Sequence, residues 1–411
     1  MTATTDATGP SAAQVQAATR ATYVAFIGAG FAFASWASRI PQVRTRLDLD
    51  PAALGLVLLA IAAGSVSALP LSGPVIARLG SRRTVTLMAG LLTVALVVVA
   101  VAPLIGVLPL VVGLFVMGFA NGAWDVGMNV QGAVVERHLR QAVMSRFHAG
   151  FSLGTVIGAL GGAAMVALDV SVTAHLLGVA VLIVAVVPAA VRAFVADVEE
   201  TPDGARPPEA GGALARWKEP RTLLIGLFVL AFAFAEGTAN DWISIALIDG
   251  YGLSPALGTL GFALFLTAMT AARWVGPPLL DRFGRVPLVR ALAGLAVVGL
   301  LLFVFGPNAG VAFAGALLWG AGTSLGFPVG MSAAADDPAH AATRVSVVAS
   351  IGYCAFLAGP PLIGFLGHEL SVLRALTVVA VLLAVATAIA GALREPETAA
   401  EPETAAEPTG R

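Results

Sequence analysis

Twelve apolar stretches, each about twenty residues long, occupy most of this chain. A helix needs about 20 apolar residues to cross the hydrocarbon core of a bilayer, which is roughly 30 Å thick. Hydrophobic residues make up 58% of the sequence and charged residues only 11%. We therefore predict an all-α membrane protein with twelve transmembrane helices. These are called spans one to twelve, at 22–42, 53–76, 84–102, 107–132, 147–167, 174–195, 222–246, 256–279, 287–306, 309–334, 346–366 and 372–393.

Basic residues are distributed unevenly between the two sides that twelve spans create. An even number of spans places both termini on one side, and 18 of the 23 basic residues then face that side. Cytoplasmic loops of membrane proteins carry such an excess of Lys and Arg. We therefore predict cytoplasmic termini. The alanine-, valine- and arginine-rich composition further indicates the cytoplasmic membrane of a bacterium with a GC-rich genome.

Polar segments divide the chain into two bundles of six spans each. Residues 1–21 are polar and are predicted to form a cytoplasmic tail, because they lack the pattern of a cleaved signal peptide. Residues 196–221 contain several Pro and Gly and are predicted to link the bundles 22–195 and 222–393. The low-complexity acidic tail, 394–411, is predicted to be disordered.

Landmarks of the first half recur in the second half at a nearly constant offset. The Gly-Pro pair at Gly73 recurs at Gly276, and the Gly-Met pair at Gly127 recurs at Gly330, both 203 residues later. Related halves with six spans each are the layout of many secondary transporters, which bind their substrate at the interface between the halves. We therefore predict two pseudo-symmetric six-helix bundles with a central site.

The loops after spans two and eight resemble the loop signature of the major facilitator superfamily, Gly-x-x-x-Asp-Arg-x-Gly-Arg-Arg. The first copy has Ala77 at the acidic position, whereas the second keeps its acid, Asp281. The resemblance covers residues 20–393 and implies the major facilitator fold, alternating access and a gating role for the loops. The implied gating residues are Arg78, Gly80, Arg82 and Arg83 in the first loop and Asp281, Arg282, Gly284 and Arg285 in the second.

Further strings resemble the fucose-permease-like branch of that superfamily and its bacterial relatives. They are Ser-Trp-Ala-Ser-Arg-Ile-Pro at 35–41, Asp-Val-Gly-Met-Asn at 125–129, His148 with Ser-Leu-Gly at 152–154, and the Glu-Gly and Asp-Trp pairs within 236–242. Fucose-type members carry an acid in span one where this chain has Ala37. The resemblance therefore implies transport of a small polar solute without specifying a sugar.

Two acidic residues lie near the middle of apolar spans, Asp125 in span four and Glu236 in span seven. A charged side chain at the centre of a membrane helix costs about 2.5–3.5 kcal/mol on insertion scales, so it needs a partner or a polar cavity. We predict that both carboxyl groups bind the coupling proton. The alternatives are a structural hydrogen bond for Asp125 and a buried ion pair for Glu236.

Amide, hydroxyl and aromatic side chains accompany these acids. Asn121 and Asn129 are spaced four residues on either side of Asp125 and share its helical face. The resemblance implies that spans one, four, seven and ten line a central cavity. The predicted substrate-binding residues are Asn121, Asn129, Trp36, Asn240, Asp241, Trp242 and Ser324.

Other residues within the spans are assigned structural roles. Arg39 is predicted to flank span one at the outer surface, and Arg273 to pair with Asp281 or to extend toward lipid headgroups. Small residues four apart let helix backbones touch, so the glycines of span five are predicted to pack against a neighbour. These glycines are Gly150, Gly154, Gly158 and Gly162. Pro residues in 326–328 and 359–361 are predicted to kink spans ten and eleven.

These features predict a proton-coupled secondary transporter of a small polar, sugar-like solute, acting as a monomer in the bilayer. A drug or metabolite efflux antiporter of the same fold is the alternative, favoured by the glycine-rich fifth span. A membrane enzyme or a solute sensor is disfavoured, because the sequence has scattered histidines, one cysteine and no sizeable soluble domain. Lys218 lacks a glycine-rich phosphate loop. No catalytic residue, metal, cofactor or nucleic-acid partner is predicted.

Overall fold

The structure, a computed structural model, describes residues 10–141, 143–197, 215–337 and 340–395. In these ranges the chain forms helices joined by short connections, and no strand occurs. The predicted linker 196–221 and the acidic tail 394–411 lie largely outside the described residues. The helices are α1 (Ala12–Ala37), α2 (Ile40–Arg46), α3 (Pro51–Ile105), α4 (Val107–Leu139), α5 (Met144–Ala167), α6 (Val172–Ala190), α7 (Pro220–Tyr251), α8 (Pro255–Phe283), α9 (Arg285–Phe305), α10 (Ala309–Thr323), α11 (Gly326–Ala334), α12 (Ala341–Glu369), α13 (Val372–Ala375) and α14 (Thr377–Ile389).

Among the described residues, 11 helices are long and apolar enough to cross a membrane, judged by length and composition. One of them, α3, has 55 residues, and its length of about 80 Å is more than twice the thickness of a hydrocarbon core. Its backbone leaves the helical region at Gly80, which separates segments 51–79 and 81–105. These segments match predicted spans two and three, so the helices are consistent with twelve crossings. The predicted all-α membrane fold is confirmed.

Two helix boundaries differ from the sequence pattern. The first helix begins at Ala12 because Ser11 and Gln14 form a capping box, in which each side chain bonds to the other's backbone amide. Span ten is interrupted, since α10 ends at Thr323 and α11 begins at Gly326. The predicted kink in span ten is therefore a break of two residues, Ser324 and Leu325, whose backbone stays in the right-handed helical region. Helix α12 continues as one helix through the prolines at 360 and 361.

Gly80 and Gly284 give the two halves the same backbone turn. Their φ and ψ angles are 79° and 160° at Gly80 and 76° and 165° at Gly284. Only glycine adopts this region readily, because a Cβ atom collides with the backbone. The two positions are 204 residues apart in the sequence. The predicted repetition of the two halves therefore includes the backbone angles of one equivalent glycine in each half.

The glycines of span five lie against span one. A Cβ atom at Gly154 would be 2.1 Å from the carbonyl oxygen of Ile27, and one at Gly158 would be 2.6 Å from that of Phe31. Their backbones therefore touch, as the four-residue spacing predicts. Likewise, a Cβ atom at Gly118 of span four would be 2.0 Å from the carbonyl oxygen of Ile61 in span two. The predicted packing role of the span-five glycines is confirmed.

The end of the molecule that contains Arg82 is called the Arg82 end. There Arg82 donates a hydrogen bond to the carbonyl oxygen of Phe194, at the end of span six. The carboxylate of Asp197 accepts from the amide nitrogen and the hydroxyl of Ser81, at 2.5 and 2.6 Å. The acidic position of the family signature is Ala77 in this loop. Asp197 therefore supplies a carboxylate at the start of span three from another part of the chain.

The second half has its own ion pairs at the Arg82 end. Asp336 accepts from Arg285 at 2.6 Å and from Arg221 at 2.8 Å. Glu219, just before α7, accepts two hydrogen bonds from Arg344, at 2.6 and 2.9 Å. These bonds lower the pKa of the Glu219 carboxyl to about 2. All of these pairs join residues of the second bundle to one another or to the segment that directly precedes it.

We expect Gly80→Ala and Gly284→Ala to lower the free energy of unfolding by about 1–3 kcal/mol each, because the backbone conformation excludes a Cβ atom. The measurement is the thermal unfolding midpoint of purified protein in detergent. Gly90→Ala and Gly294→Ala are matched controls, since both glycines lie within helices and have open space around them. Alanine favours a helix over glycine, so the controls should be neutral or slightly stabilising. Equal effects at all four positions would contradict this explanation.

Candidate functional site

Asp125 lies near the middle of span four, with a half-buried side chain. The side-chain nitrogen of Asn129, one turn along, donates to the backbone carbonyl of Asp125 at 2.8 Å and to its carboxylate at 3.3 Å. Tyr353 of span eleven, in the other half, interacts electrostatically with this carboxylate. Asp125 therefore faces span eleven of the other half, and it forms no ion pair among the described residues.

Glu236 lies near the middle of span seven and forms an ion pair. Its Oε2 atom accepts a hydrogen bond from Nη2 of Arg273 at 3.0 Å. The two side chains are 25% and 26% exposed, respectively. Glu236 therefore has a compensating charge, which was one of the two interpretations that the sequence left open.

The Arg273 guanidinium contacts three other spans at the same depth. Besides Glu236 of span seven, its Nε donates to the backbone carbonyl of Ser324, at the break in span ten, at 3.0 Å. Its Nη1 lies 3.4 Å from the hydroxyl of Ser152 in span five of the first half. His148, also of span five, interacts electrostatically with Arg273. One planar cation thus connects spans five, seven, eight and ten.

The prediction that Arg273 pairs with Asp281 or extends to headgroups was wrong. Asp281 lies eight residues further along the helix, about 12 Å away, and is exposed at the Arg82 end. The guanidinium instead turns toward Glu236. A charge inside an apolar span gains from an opposite charge at the same depth, because lipid does not solvate it.

The prediction that Arg39 flanks span one at the outer surface was also wrong. Arg39 is 1% exposed, and its Nε donates to Nδ1 of His175 in span six at 2.8 Å. Helix α1 ends at Ala37 and α2 begins at Ile40, with Pro41 in its first turn. The intervening turn directs the side chain between spans one and six rather than into solvent.

Several predicted substrate-binding residues carry buried polar atoms that have no hydrogen-bond partner among the described residues. Buried polar atoms are normally satisfied by protein, water or ligand, so such a set can hold polar molecules. The indoles of Trp36 and Trp242 are 1% and 0% exposed. The atoms are Oδ1 of Asn121, Oδ1 of Asn240, Oγ of Ser324 and Nε1 of Trp36 and Trp242.

The other two predicted substrate-binding residues differ from this set. Asn129 bonds to Asp125, and Asp241 is half-buried. Thr238 of span seven and Thr270 of span eight also carry unpartnered hydroxyls in the described region, but sequence reasoning missed them. Their residue type is common in membrane helices and gives no signal.

Sequence reasoning also missed that Arg273, Ser152 and Tyr353 lie beside the two central acids, Asp125 and Glu236, or beside their partners. Arg273 had a usable signal: a cation inside span eight and an anion inside span seven require compensation, and adjacent spans often pack together. Ser152 and Tyr353 had none, because which face of a helix turns toward the interface depends on its rotation. That rotation is set by packing between helices.

The two halves meet at the end of the molecule that contains Arg44, called the Arg44 end. Arg44 of the first half pairs with Asp249 of the second at 2.5 Å. Close by, the hydroxyl of Thr259 in span eight lies 3.4 Å from the backbone carbonyl of Ser38. The ion pairs named at the Arg82 end each stay within one half, whereas these contacts join the halves.

Glycines allow the helices of the two halves to touch at the Arg44 end. A Cβ atom at Gly55 of span two would lie 2.4 Å from the carbonyl oxygen of Pro360 in span eleven. One at Gly364 would lie 2.6 Å from that of Pro51. Spans two and eleven are therefore in backbone contact, which closes this end of the interface.

Comparisons with known proteins agree with this architecture. A family model described as Major Facilitator Superfamily matches residues 22–355 and 242–411. An uncharacterized MFS-type transporter of Yersinia pestis is 31% identical over 358 residues, which cover 85% of this chain and 89% of that protein. A solved mutant of the nucleoside transporter NupG superposes with a TM-score of 0.74 at 13% identity, over 92% and 99% of the two chains. The E. coli fucose:proton symporter FucP superposes with a TM-score of 0.60 at 15% identity, over 91% and 98%.

We expect Gly55→Leu to open the Arg44 end, because the larger side chain cannot fit against the backbone of span eleven. Overpacking costs about 1–3 kcal/mol, so the open population should rise roughly tenfold. The measurement is maleimide labelling in detergent of Thr259→Cys, a buried position, in a Cys354→Ala background.

Gly73→Leu is the matched control for this experiment. Gly73 lies in the same span as Gly55 but has open space around it. Its substitution should leave labelling unchanged. Equal labelling of the Gly55 and Gly73 variants would show that the glycine contact does not hold the end closed.

Proposed function

Because the chain belongs to the major facilitator superfamily, we propose that it is a secondary active transporter in which the movement of a small polar solute is coupled to the movement of protons. The observation that carries the coupling is the contrast between the two central acids. Glu236 has the guanidinium of Arg273 at 3.0 Å. Asp125 bonds to the amide of Asn129, and no cation lies within ion-pair distance of it in the described part of the chain.

An uncompensated carboxylate at this depth favours reversible protonation. The charged form of Asp125 costs about 2.5–3.5 kcal/mol on insertion scales unless water or a cation reaches it. Binding a proton removes that cost when the surroundings become dry. Asp125 can therefore take up a proton while the cavity is hydrated and keep it while the cavity is closed to both sides of the membrane. Glu236 is proposed to contribute a second ionisable group, through its ion pair.

The polar atoms near the acids support a small polar solute. The Oδ1 atoms of Asn121 and Asn240 and the hydroxyl oxygen of Ser324 are buried without described partners, so they can accept hydrogen bonds from hydroxyl or N–H groups of a solute. Trp36 and Trp242 are proposed to contribute aromatic walls once the halves separate. The fucose:proton symporter FucP and the nucleoside transporter NupG, which share the fold, are consistent with a polar cargo.

The charge distribution supports an orientation. Most basic residues lie on the side of the Arg82 end, which is therefore proposed to face the cytoplasm, with both termini there. The Arg44 end, where the halves touch, then faces outward. The loops around Gly80 and Gly284 are proposed to control opening of the cytoplasmic end in alternating access.

The efflux alternative depended on the glycine-rich fifth span. Those glycines pack against span one, with Gly154 against Ile27 and Gly158 against Phe31. Packing therefore accounts for them without an antiport function. The direction of flux is a separate question, which the sign of the pH-gradient response decides.

We expect Asp125→Asn to abolish proton-driven flux while leaving solute exchange intact, because the amide occupies the same space as the carboxyl group but cannot exchange a proton. The experiment is a screen of sugars, nucleosides and related polar solutes in proteoliposomes, with and without a pH gradient. Asp169→Asn is the control, since Asp169 is an exposed acid in a loop with φ of 52°, a conformation that Asn tolerates. Retained proton-driven accumulation in Asp125→Asn would refute the assignment.

A further inference from the structure

Arg39 carries a positive charge that no carboxylate of the described residues compensates. The residue lies between α1 and α2 and is 1% exposed. Its one hydrogen bond within the described ranges runs from Nε to Nδ1 of His175, at 2.8 Å. Its Nη2 atom is buried without a partner there. A buried cation normally has an anion beside it, because burial removes the water that would solvate its charge.

The imidazole of His175 satisfies a donor of Arg39 but does not neutralise it. Nδ1 of His175 accepts the hydrogen bond, so this atom carries no proton and the ring is uncharged. A guanidinium stays protonated in proteins. The full unit charge of Arg39 therefore remains inside the first bundle.

Acids at the Arg44 end bind other groups. Asp249 pairs with Arg44 at 2.5 Å. Asp50 accepts from the amide of Ala53 at 2.7 Å and caps α3. In the part of the chain that the structure describes, the charge of Arg39 is affected by burial and by no nearby carboxylate. The described protein therefore does not supply the anion that a buried guanidinium requires.

Two more side chains on the same helical face have buried polar atoms without a described partner. Ser35 lies four residues before Arg39, and Gln42 lies three residues after it. Ser38 and Arg39 keep right-handed helical backbone angles between α1 and α2, so these spacings place the three side chains on one face. The unpartnered atoms are Oγ of Ser35 and both Nε2 and Oε1 of Gln42. A hydroxyl and an amide can therefore donate hydrogen bonds beside the guanidinium.

Helices of both halves surround this face. A Cβ atom at Gly162 of span five would lie 2.0 Å from Oγ of Ser38 and 3.8 Å from Cε1 of His175. The hydroxyl of Thr259 in span eight lies 3.4 Å from the Ser38 carbonyl. Spans one, five, six and eight therefore meet beside Arg39 at the Arg44 end. This position is distinct from the two central acids, which lie near the middle of spans four and seven.

We propose that Ser35, Arg39 and Gln42 form a binding site for a small monovalent anion, either chloride or the carboxylate of a small organic acid. Both sources share the required chemistry, a single negative charge that accepts hydrogen bonds from a guanidinium and an amide. A water molecule could satisfy the donors, but it would leave the charge of Arg39 uncompensated. The site goes beyond the proposed proton-coupled transport and does not depend on it.

The experiment measures the thermal unfolding midpoint of purified protein in detergent during titration with sodium chloride, sodium acetate or acetamide. Acetamide has nearly the shape of acetate without its charge, and a bulky sulfonate salt keeps the ionic strength constant. We expect chloride or acetate to raise the midpoint by about 2–5 °C at saturation, because a ligand that binds only the folded state stabilises it. Acetamide should leave the midpoint unchanged. A response to chloride identifies an inorganic anion as a ligand, and a response to acetate identifies a carboxylate.

Variants assign the response to Arg39. Arg39→Gln should abolish it, because the charge that the anion compensates is gone. Arg374→Gln is the matched control, since Arg374 is an exposed basic residue in α13 and its loss should leave the response as in the wild type. If Arg39→Gln fails to fold, Gln42→Met keeps the buried charge but removes one donor. The anion concentration at half-saturation should then rise about two- to tenfold, as expected for one lost hydrogen bond.

Several results would overturn the site. These are no shift with either anion, an equal shift with acetamide, an undiminished response in Arg39→Gln, or equal loss of the response in Arg374→Gln. An unchanged half-saturation concentration in Gln42→Met would remove Gln42 from the site and, where Arg39→Gln does not fold, would overturn the proposal. Proton-driven flux in proteoliposomes is measured separately, so failure of the anion titration leaves the proposed function intact.

Discussion

Charge compensation inside the bilayer is the constraint on which the central site depends. A charged side chain within a span costs several kcal/mol unless a partner or water solvates it. Arg273 and Glu236 satisfy this requirement mutually, at 3.0 Å, and their pairing brings spans seven and eight into a defined relative position. Asp125 has an amide partner instead. This difference separates two carboxyl groups that look equivalent in the sequence and gives them different roles in the proposed mechanism.

Close approach of helix backbones is the second requirement. Association of helices in lipid gains little from the hydrophobic effect, so it relies on packing that small residues permit. Within the first half, Gly154 and Gly158 bring span five onto span one. Between the halves, Gly55 and Gly364 bring span two onto span eleven. Close approach at glycine therefore occurs both inside one bundle and between the halves, where the proposed alternating access would have to break it.

The global fold was largely predictable from the sequence. The twelve apolar runs, the twofold repetition and the loop glycines all have direct counterparts in the helices, because span length and turn conformation depend on local composition. Gly80 and Gly284, for example, adopt nearly the same φ and ψ angles. The early start of α1 at Ala12 was not predicted, since its capping box precedes the apolar run.

The candidate site was less predictable, because side-chain partners depend on helix rotation. The sequence identified Asp125 and Glu236 as charges within spans, and the structure describes the surroundings of each. The sequence analysis misplaced Arg273 and Arg39, whose partners Glu236 and His175 lie on other helices at distant sequence positions. Sequence spacing gives the face that residues share on one helix. It does not give the direction in which that face points.

By itself, the sequence determined the membrane-spanning helices, their repetition in two halves and the presence of ionisable groups at mid-depth. These depend on hydrophobic length and local backbone preferences, which each segment carries independently of the others. Only the tertiary structure decided which charges pair, where span ten breaks and which end of the interface is closed. Those features arise from the rotation and close packing of whole helices, and no single segment contains the information that sets them.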